Sequence, residues 1–329
     1  MMRLPAFDYL TPTTLQEAAC LLAELGPAAK AVAGGTDLLP NMKRRQSEPA
    51  RIVALSGIAE LHGIRRSVNG VTVGALTTLA ELAASDDVPA VVASAAGKVA
   101  GPQIRNSGTV GGNLCLDTRC NWLDLPHGWR QAAGFCLKDG GDVCWVAPRG
   151  SKCVAISSSD LAPVMVALGA SVRLVSEGGE RVMDVEDFYA DDGIDYQTKA
   201  PDEILAEVIL GPWEGLRAVY HKLRRRGAID FPILGVAATM RLDSEGVCAE
   251  ARLVVGAVSS APLRLRDAEE YLIGRQPTSE VIAEATRIAS RPVRPFDNAD
   301  LGSRYRKWMV PVYVERALTD LIEPSPPVK

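Results

Sequence analysis

The sequence predicts an α+β protein of three units, and three observations carry this prediction. At 329 residues the chain is longer than a single hydrophobic core usually supports. Helix and strand patterns alternate along the first half, whereas the last third shows strands followed by helices. Between these regions, residues 116–159 hold four cysteines and show neither pattern; we call this segment the cysteine loop. We expect units at residues 1–57, 58–215 and 216–329, with the cysteine loop inserted in the second.

The first unit begins with a well-marked helix. Thr14 and Glu17 have the spacing of a capping box, and Gly26 is expected to end the helix. Apolar residues at 31–33 and 51–55 then predict two short buried strands. These elements complete a small α/β unit near residue 57.

The second unit is expected to start with a strand at 71–74, followed by helices at 78–84 and 89–99. After the cysteine loop, an apolar helix from Asp160 to Leu168 leads into a strand at 171–175. The cysteine loop therefore interrupts a unit whose two halves share one core.

The third unit is expected to hold a sheet covered by helices. Its predicted elements are strands at 218–223, 236–242 and 251–258 and helices at 264–272, 279–290 and 304–321. The proline-rich end, Pro324–Lys329, is expected to be frayed.

Composition and charge exclude several classes of function. The net charge is −4 and the isoelectric point about 5.6, so neither nucleic acid nor an anionic membrane is an expected partner. No apolar stretch is long enough to span a membrane, and the first residues resemble no signal peptide, so a cytoplasmic protein is predicted. The three histidines lack the spaced partners of Ser–His or HExxH chemistry, and the stretch from Asp184 to Asp195 is typical of solvated turns. No catalytic residue is predicted.

Two glycine pairs stand out in the first half of the chain. Gly34–Gly35 lies in the run 32–37, and Gly111–Gly112 lies in the run 108–113. Without a Cβ, such residues let peptide N–H groups approach a phosphate closely. Neither run matches the GxGxxG fingerprint or a Walker motif, so an NAD-type or nucleoside triphosphate site is not favoured. Next to the cysteine loop, the two pairs favour a cofactor cradle over two plain turns.

Four cysteines of the cysteine loop are candidate metal ligands: Cys120, Cys136, Cys144 and Cys153. Four thiolates can hold a [4Fe–4S] cluster or a structural zinc ion. Their spacings of 16, 8 and 9 residues include none of the close cysteine pairs usual for zinc, which favours iron–sulfur and leaves zinc open. Cys115 precedes Cys120 by five residues and is the substitute ligand if one of the four fails. Disulfides are not expected in a chain without an export signal.

Several segments together resemble the medium, FAD-binding subunits of the xanthine oxidase (molybdenum hydroxylase) family. They include Ala33–Asp37, Thr109–Leu114, Ser159–Pro163, Lys222 with Asp230–Pro232, and Ser260–Arg264. The resemblance spans nearly the whole chain. It implies a two-part FAD-binding domain that carries the cysteine loop, followed by an α+β C-terminal domain of the CO dehydrogenase flavoprotein type.

This resemblance implies FAD as cofactor, with its pyrophosphate against two runs of residues. The first run is Ala31, Val32, Ala33, Gly34, Gly35, Thr36, Asp37 and Leu38, and the second is Thr109, Val110, Gly111, Gly112 and Asn113.

The resemblance also implies roles for Asp160 and Lys222. Asp160 would lie beside the ribityl chain or flavin, and Lys222 at the flavin end, where a cation stabilises a reduced, anionic isoalloxazine. Each residue has a structural alternative. Asp160 precedes Leu161 and could be a plain helix N-cap, whereas Lys222 could be a solvated strand lysine beside the basic run 224–226.

The cysteine loop is similar to that of the 4-hydroxybenzoyl-CoA reductase branch of the family, whose flavin subunits carry an extra [4Fe–4S] cluster there. This similarity implies that the four cysteines ligate such a cluster. From their place in the loop, Trp122 and Trp129 are expected to shield it from water, with exposed binding platforms as the alternative. The similarity also implies an electron-transfer role beside a large molybdopterin-binding subunit and a small [2Fe–2S] subunit, with ferredoxin as the electron donor. Two alternatives stay open: a related hydroxylase or aldehyde dehydrogenase that passes electrons outward, and a zinc-stapled assembly protein with no redox role.

Overall fold

Three hydrogen-bonded sheets organise the chain, of which the computed structural model describes residues 3–322. Each sheet draws its strands from one of the three units expected from the sequence. The proline-rich end at Pro324–Lys329 lies outside the described residues. No helix among residues 3–322 combines the length and the apolarity needed to cross a membrane.

A parallel three-stranded sheet forms the first unit. Its elements are β1 (Asp8–Leu10), α1 (Leu15–Leu25), β2 (Ala29–Val32), α2 (Leu38–Lys43) and β3 (Arg51–Ala54), with the strands in the order β1-β3-β2. The Thr14 hydroxyl caps α1 by accepting a hydrogen bond from the Glu17 N–H. The buried face of α1 packs on this sheet and on Val175 and Ile204 of the second unit, so the two units share a core.

An antiparallel five-stranded sheet forms the second unit, in the order β4-β5-β8-β6-β7. Its elements are β4 (Ile64–Ser67), β5 (Gly70–Gly74), α3 (Leu79–Ala83), α4 (Ala90–Gly97), α5 (Pro102–Arg105), α6 (Val110–Leu114), α7 (His127–Ala132), α8 (Leu161–Ala167), β6 (Ser171–Ser176), β7 (Gly179–Asp184) and β8 (Ile204–Leu210). Every residue of α8 is buried. Burial of a large apolar side chain contributes roughly 1.5–3 kcal/mol, so α8 is firmly held together with the residues just before it.

The third unit is an antiparallel sheet with three helices, in the strand order β12-β11-β10-β9. Its elements are β9 (Arg217–Leu223), β10 (Leu234–Leu242), β11 (Cys248–Gly256), β12 (Leu263–Arg264), α9 (Arg266–Leu272), α10 (Ser279–Ser290) and α11 (Ser303–Ile322). Side chains alternate along β10: Val236 and Ala238 enter the core under these helices, whereas Ala237 enters the core around α8. The sheet therefore has two buried faces and attaches the third unit to the second.

The cysteine loop is more ordered than its sequence suggests. It contains α7 and a single 3-10 turn at Leu137–Asp139, so the expectation that it holds no helix is wrong. Arg119 and Ile156 exchange two backbone hydrogen bonds of 2.8 Å and close its base. The guanidinium of Arg130, with no exposed surface, donates to the carbonyl of Leu125 and pairs with Asp139. A buried arginine thus supplements the small apolar cluster of this segment, which includes Leu123 and Ala155.

Candidate functional site

The two glycine runs lie against each other in space. A Cβ on Gly34 would stand 1.7 Å from the carbonyl oxygen of Ser107, and one on Gly108 would stand 3.5 Å from Oγ1 of Thr36. Only a residue without a side chain permits this approach of Gly34. The fold therefore brings together the two runs that the sequence singled out.

The first run leaves a row of peptide N–H groups available. Gly35 adopts a left-handed conformation with φ of 68°, which reverses the chain between β2 and α2. The N–H groups of Gly34, Gly35, Thr36 and Asp37 donate to no other residue in the described part of the chain. Consecutive free donors of this kind bind anionic oxygens such as those of a phosphate.

The second run differs from its expected form. It folds into α6, and the N–H groups of Val110, Gly111, Gly112 and Asn113 all donate to acceptors within the protein. These N–H groups are already used within the protein, whereas contact between FAD and residues 109–113 stays a prediction. Gly111 serves close packing instead, since its Cβ would stand 2.7 Å from that of Ala75.

Asn113 connects the second run to the start of α8. Its Oδ1 accepts hydrogen bonds from Ser159 Oγ at 2.7 Å and from the N–H of Leu161 at 3.2 Å. Ser159 Oγ in turn accepts from the N–H of Ala162 at 2.9 Å. The cap of α8 is therefore made by Ser159, and the N-cap alternative for Asp160 is wrong, since its side chain makes no capping hydrogen bond.

Asp160 and Lys222 form a buried ion pair between the second and third units. Lys222 Nζ lies 2.8 Å from Asp160 Oδ2, and the phenol of Tyr220 donates to Asp160 Oδ1 at 2.7 Å. The Lys222 side chain is 1% exposed, so the alternative of a solvated lysine is wrong. Burial raises the pKa of Asp160 and lowers that of Lys222, while each charge opposes the effect of burial on the other. The pair presents a cation held in place at the start of α8.

A second ion pair joins the first glycine run to the cysteine loop. The guanidinium of Arg119 pairs with Asp37 and lies 4.3 Å from the ring centroid of Phe231. The N–H of Asp117 donates to Asp37 Oδ2 at 3.3 Å. Burial raises the pKa of Asp37, against the lowering effect of Arg119. Through Arg119, residues of all three units are thus in contact.

The four predicted cysteine ligands line one small cavity in the cysteine loop. All four are free thiols, each less than a tenth exposed, and Leu123, Trp145 and Ala155 complete much of the lining. Cys115 does not line this cavity and packs in the core of the second unit. Within residues 3–322 no set of His, Cys, Asp or Glu side chains is arranged to hold one metal ion. The four predicted ligands thus share the wall of one cavity.

The surroundings of the cavity shield its thiols from water. Burial raises the pKa of Cys120 to about 11 and also raises that of Cys153, whose Sγ accepts from the N–H of Ala155 at 3.4 Å. Trp145 lines the cavity, and Trp122 packs edge-on against it with ring centroids 6.0 Å apart. Trp129 is 71% exposed, so its expected shielding role is wrong and Trp145 occupies that place.

Comparison with known proteins identifies the family. The family model described as the FAD binding domain in molybdopterin dehydrogenase matches residues 5–213, and the CO dehydrogenase flavoprotein C-terminal domain matches residues 218–321. The chain belongs to the molybdopterin dehydrogenase FAD-binding family. It is an FAD-binding medium subunit of the molybdenum hydroxylase type, and the predicted fold class is confirmed.

Relatives of this flavin subunit match it over most or all of its length. The alpha subunit of the 6-hydroxypseudooxynicotine dehydrogenase complex of Paenarthrobacter nicotinovorans is 29% identical over 100% of this chain and 98% of its own. The FAD-binding subunit of an Escherichia coli K12 aldehyde oxidoreductase is 32% identical over 81% of this chain and 86% of its own. Among solved structures, CO dehydrogenase from Oligotropha carboxidovorans superimposes with a TM-score of 0.81 at 26% identity, covering 98% of this chain and 100% of that one.

Two residues of this flavin subunit that the sequence did not single out border the cysteine cavity. A Cβ on Gly193 would stand 2.7 Å from Cys153 Sγ, so only glycine fits there. Its carbonyl accepts from Lys138 Nζ at 2.6 Å, and Lys138 itself lines the cavity. The stretch from Asp184 to Asp195 is therefore not a set of plain solvated turns, because its end packs on the cysteine loop.

Proposed function

We propose that this chain is an electron-relay subunit that holds FAD and a [4Fe–4S] cluster in a molybdenum enzyme complex. FAD lies against residues 31–38 and 109–113, with Asp160 and Lys222 at its flavin end, and Cys120, Cys136, Cys144 and Cys153 ligate the cluster. The observation that carries the proposal is that four free cysteines from separate turns line one small cavity. Its wall residue Lys138 pairs with Asp117, whose N–H donates to Asp37 of the first glycine run.

The residues of the flavin site fit FAD. The four free N–H groups of residues 34–37 supply donors for a pyrophosphate, and the missing Cβ of Gly34 keeps residue 107 in contact with this run. Lys222 supplies a cation that is fixed by Asp160 and shielded from water. Electrostatic stabilisation by such a cation is stronger in a buried site than in solvent. Bound FAD supplies the exchange of one or two electrons.

The donor set of the cavity fits an iron–sulfur cluster. Four thiolates are the usual ligands of a [4Fe–4S] cluster, and apolar lining residues together with an N–H···S hydrogen bond are features that tune its potential. Zinc also binds four thiolates, at Zn–S distances of about 2.3 Å that draw the sulfurs together around one ion. The sequence spacing of the four cysteines, which includes no close pair, favours the cluster over zinc.

The partners in this proposal are a large molybdopterin-binding subunit and a small [2Fe–2S] subunit. For the whole complex we propose the 4-hydroxybenzoyl-CoA reductase type of reaction, in which ferredoxin donates electrons that pass through the cluster and FAD to the other subunits. The similarity of the cysteine loop to that branch supports this choice. Co-purification of the tagged chain with two further subunits, one containing molybdenum, is the expected result.

A second candidate has a specific observation in its favour. The 32% identity to the flavin subunit of an aldehyde oxidoreductase supports an enzyme that oxidises an aldehyde and passes electrons outward. Turnover of the purified complex separates the two. Reduction of 4-hydroxybenzoyl-CoA by reduced ferredoxin supports the first candidate, and reduction of an artificial acceptor by aldehydes supports the second.

Cysteine substitution tests the cluster. In anaerobically purified protein we expect about four iron and four sulfide per chain, as a [4Fe–4S] cluster requires, with broad visible absorbance beneath the flavin bands. Single changes of Cys120, Cys136, Cys144 or Cys153 to alanine should abolish iron binding. Cys115→Ala and Cys248→Ala are matched controls, and both should keep it. One zinc per chain with no sulfide would overturn the cluster and leave FAD binding intact.

A further inference from the structure

Lys138 is a charged side chain at the wall of the cysteine cavity. It follows Cys136 by two residues, its side chain is 10% exposed, and it lines the same cavity as the four thiols. A buried ammonium beside proposed ligands is costly to desolvate unless its hydrogen bonds are satisfied. Its partners are therefore the first point to establish.

Three acceptors hold the Lys138 ammonium. Nζ donates to Asp117 Oδ1 at 2.6 Å, to the carbonyl of Gly193 at 2.6 Å and to Oγ1 of Thr118. An ammonium has three N–H bonds, so all three are used and the charge is fixed in position. Nζ also lies 5.1 Å from the ring centroid of Tyr196, whose face attracts cations.

The balance of charge at this wall is asymmetric. The Asp117 carboxylate is 30% exposed, against 10% for Lys138, and Lys138 but not Asp117 lines the cavity. Water therefore screens the anion more than the cation. Seen from the cavity, the pair presents a net positive field.

We propose that Lys138 is a positioning residue that raises the reduction potential of the cluster in the cysteine cavity. The inference rests on the proposed cluster. In the reduction step one electron from a one-electron donor enters the cluster, no bond or proton changes place, and the cluster with its four thiolates gains one negative charge. A fixed cation at the wall stabilises this more negative state, and Asp117 partly offsets the cation.

A pair of opposite substitutions tests the proposal. Lys138→Gln removes the cation but keeps a donor, and Asp117→Asn removes the partner anion. We expect Lys138→Gln to shift the cluster midpoint potential to a more negative value and Asp117→Asn to shift it to a more positive one. The midpoint potential of Lys138→Arg should stay near that of the unchanged protein, because the positive charge is kept. The measurement is an anaerobic redox titration of the full-length chain followed by electron paramagnetic resonance, with the flavin potential as internal reference.

The outcomes separate this inference from the proposed function. Full iron and sulfide in Lys138→Gln with an unchanged potential overturns the role of Lys138 and leaves the cluster in place. Shifts of the same sign in Lys138→Gln and Asp117→Asn also overturn it, because they report disturbed structure and not charge. If Lys138→Gln fails to assemble, an unchanged potential in Asp117→Asn overturns the inference and a positive shift supports it. Absence of iron and sulfide from the unchanged chain overturns both.

Discussion

Lys222 Nζ and Asp160 Oδ2 lie 2.8 Å apart across the boundary between the second and third units, with side chains only 1% and 3% exposed. Lys222 comes from β9 and Asp160 directly precedes α8, so the contact fixes an edge of the third sheet to a fully buried helix. A buried ion pair is expensive to form, and removal of one partner costs more than removal of both.

We predict that Lys222→Met destabilises the flavin-free chain by about 3–5 kcal/mol, because the Asp160 carboxylate is left buried without a counter-charge. The measurement is guanidinium unfolding followed by circular dichroism. The double variant Asp160→Asn with Lys222→Met should recover most of the loss. An equal loss in the single and double variants would contradict a role for the pair.

Gly34→Ala is predicted to abolish FAD retention. The new methyl group would overlap the carbonyl oxygen of Ser107, which forces the two glycine runs apart. The ratio of flavin to protein absorbance in the purified chain should fall close to zero. Gly211→Ala is the matched control, since its Cβ meets nothing within 4 Å, and it should keep full flavin. Equal flavin content in the two variants would refute the prediction.

Gly193→Ala is predicted to lower iron content without lowering flavin content. Its Cβ would stand 2.7 Å from Cys153 Sγ and would displace this proposed ligand. Iron and sulfide analysis measures the effect. Gly128→Ala, which lies in the cysteine loop and meets nothing within 4 Å, should retain full iron.

Arg130 is predicted to keep the cysteine loop closed. Arg130→Gln leaves Asp139 nearly buried without its partner, which costs about 3 kcal/mol and increases the open population of the loop roughly 100-fold. Limited proteolysis should then cut within residues 116–159. Lys152→Gln is the control, because its ion pair with Asp191 is exposed at both ends and such pairs contribute little. The same cleavage rate in both variants would count against Arg130.

His221 is predicted to make stability depend on pH. Burial lowers its pKa below the ordinary 6.5, although the carboxylate of Asp320, 3.0 Å from Nε2, opposes this shift. The unfolded chain then binds a proton more readily than the folded one. The stability linked to neutral His221 is therefore present above pH 6.5 and is lost as pH falls through the lower folded pKa. Urea unfolding at pH 7 and pH 5 should show a smaller difference for His221→Gln than for the unchanged chain.

Helices were easier to predict from this sequence than strands. α1, α10 and α11 begin and end within about one residue of their predicted limits, because capping residues and apolar periodicity mark them. β7 was missed because five of its six residues are exposed, so its sequence shows no alternation of apolar and polar residues. β8 was missed because it is an apolar run interrupted by Glu207, a carboxylate that pairs with Arg173 on the neighbouring strand.

The candidate site could be predicted only where residue type carries the chemistry. Clustered cysteines and paired glycines can be recognised in a sequence, because few functions other than metal or cofactor binding require these residue types in such patterns. Gly193 and Lys138 were not visible, since their contacts depend on a turn that follows Cys153 by 40 residues. Likewise, the role of Ser159 as the cap of α8 depends on Asn113, 46 positions earlier.

Asn113 Oδ1 accepts from Ser159 and Leu161, so the residues before and after the cysteine loop meet at one amide. These hydrogen bonds join the two ends of the cysteine loop within the host domain and do not depend on the residues between those ends. The folding of the host domain therefore does not fix the length of the cysteine loop. Evolution can lengthen, shorten or delete this loop without changing the fold of the FAD-binding domain. The cysteine loop can in this way be gained or lost as a single module.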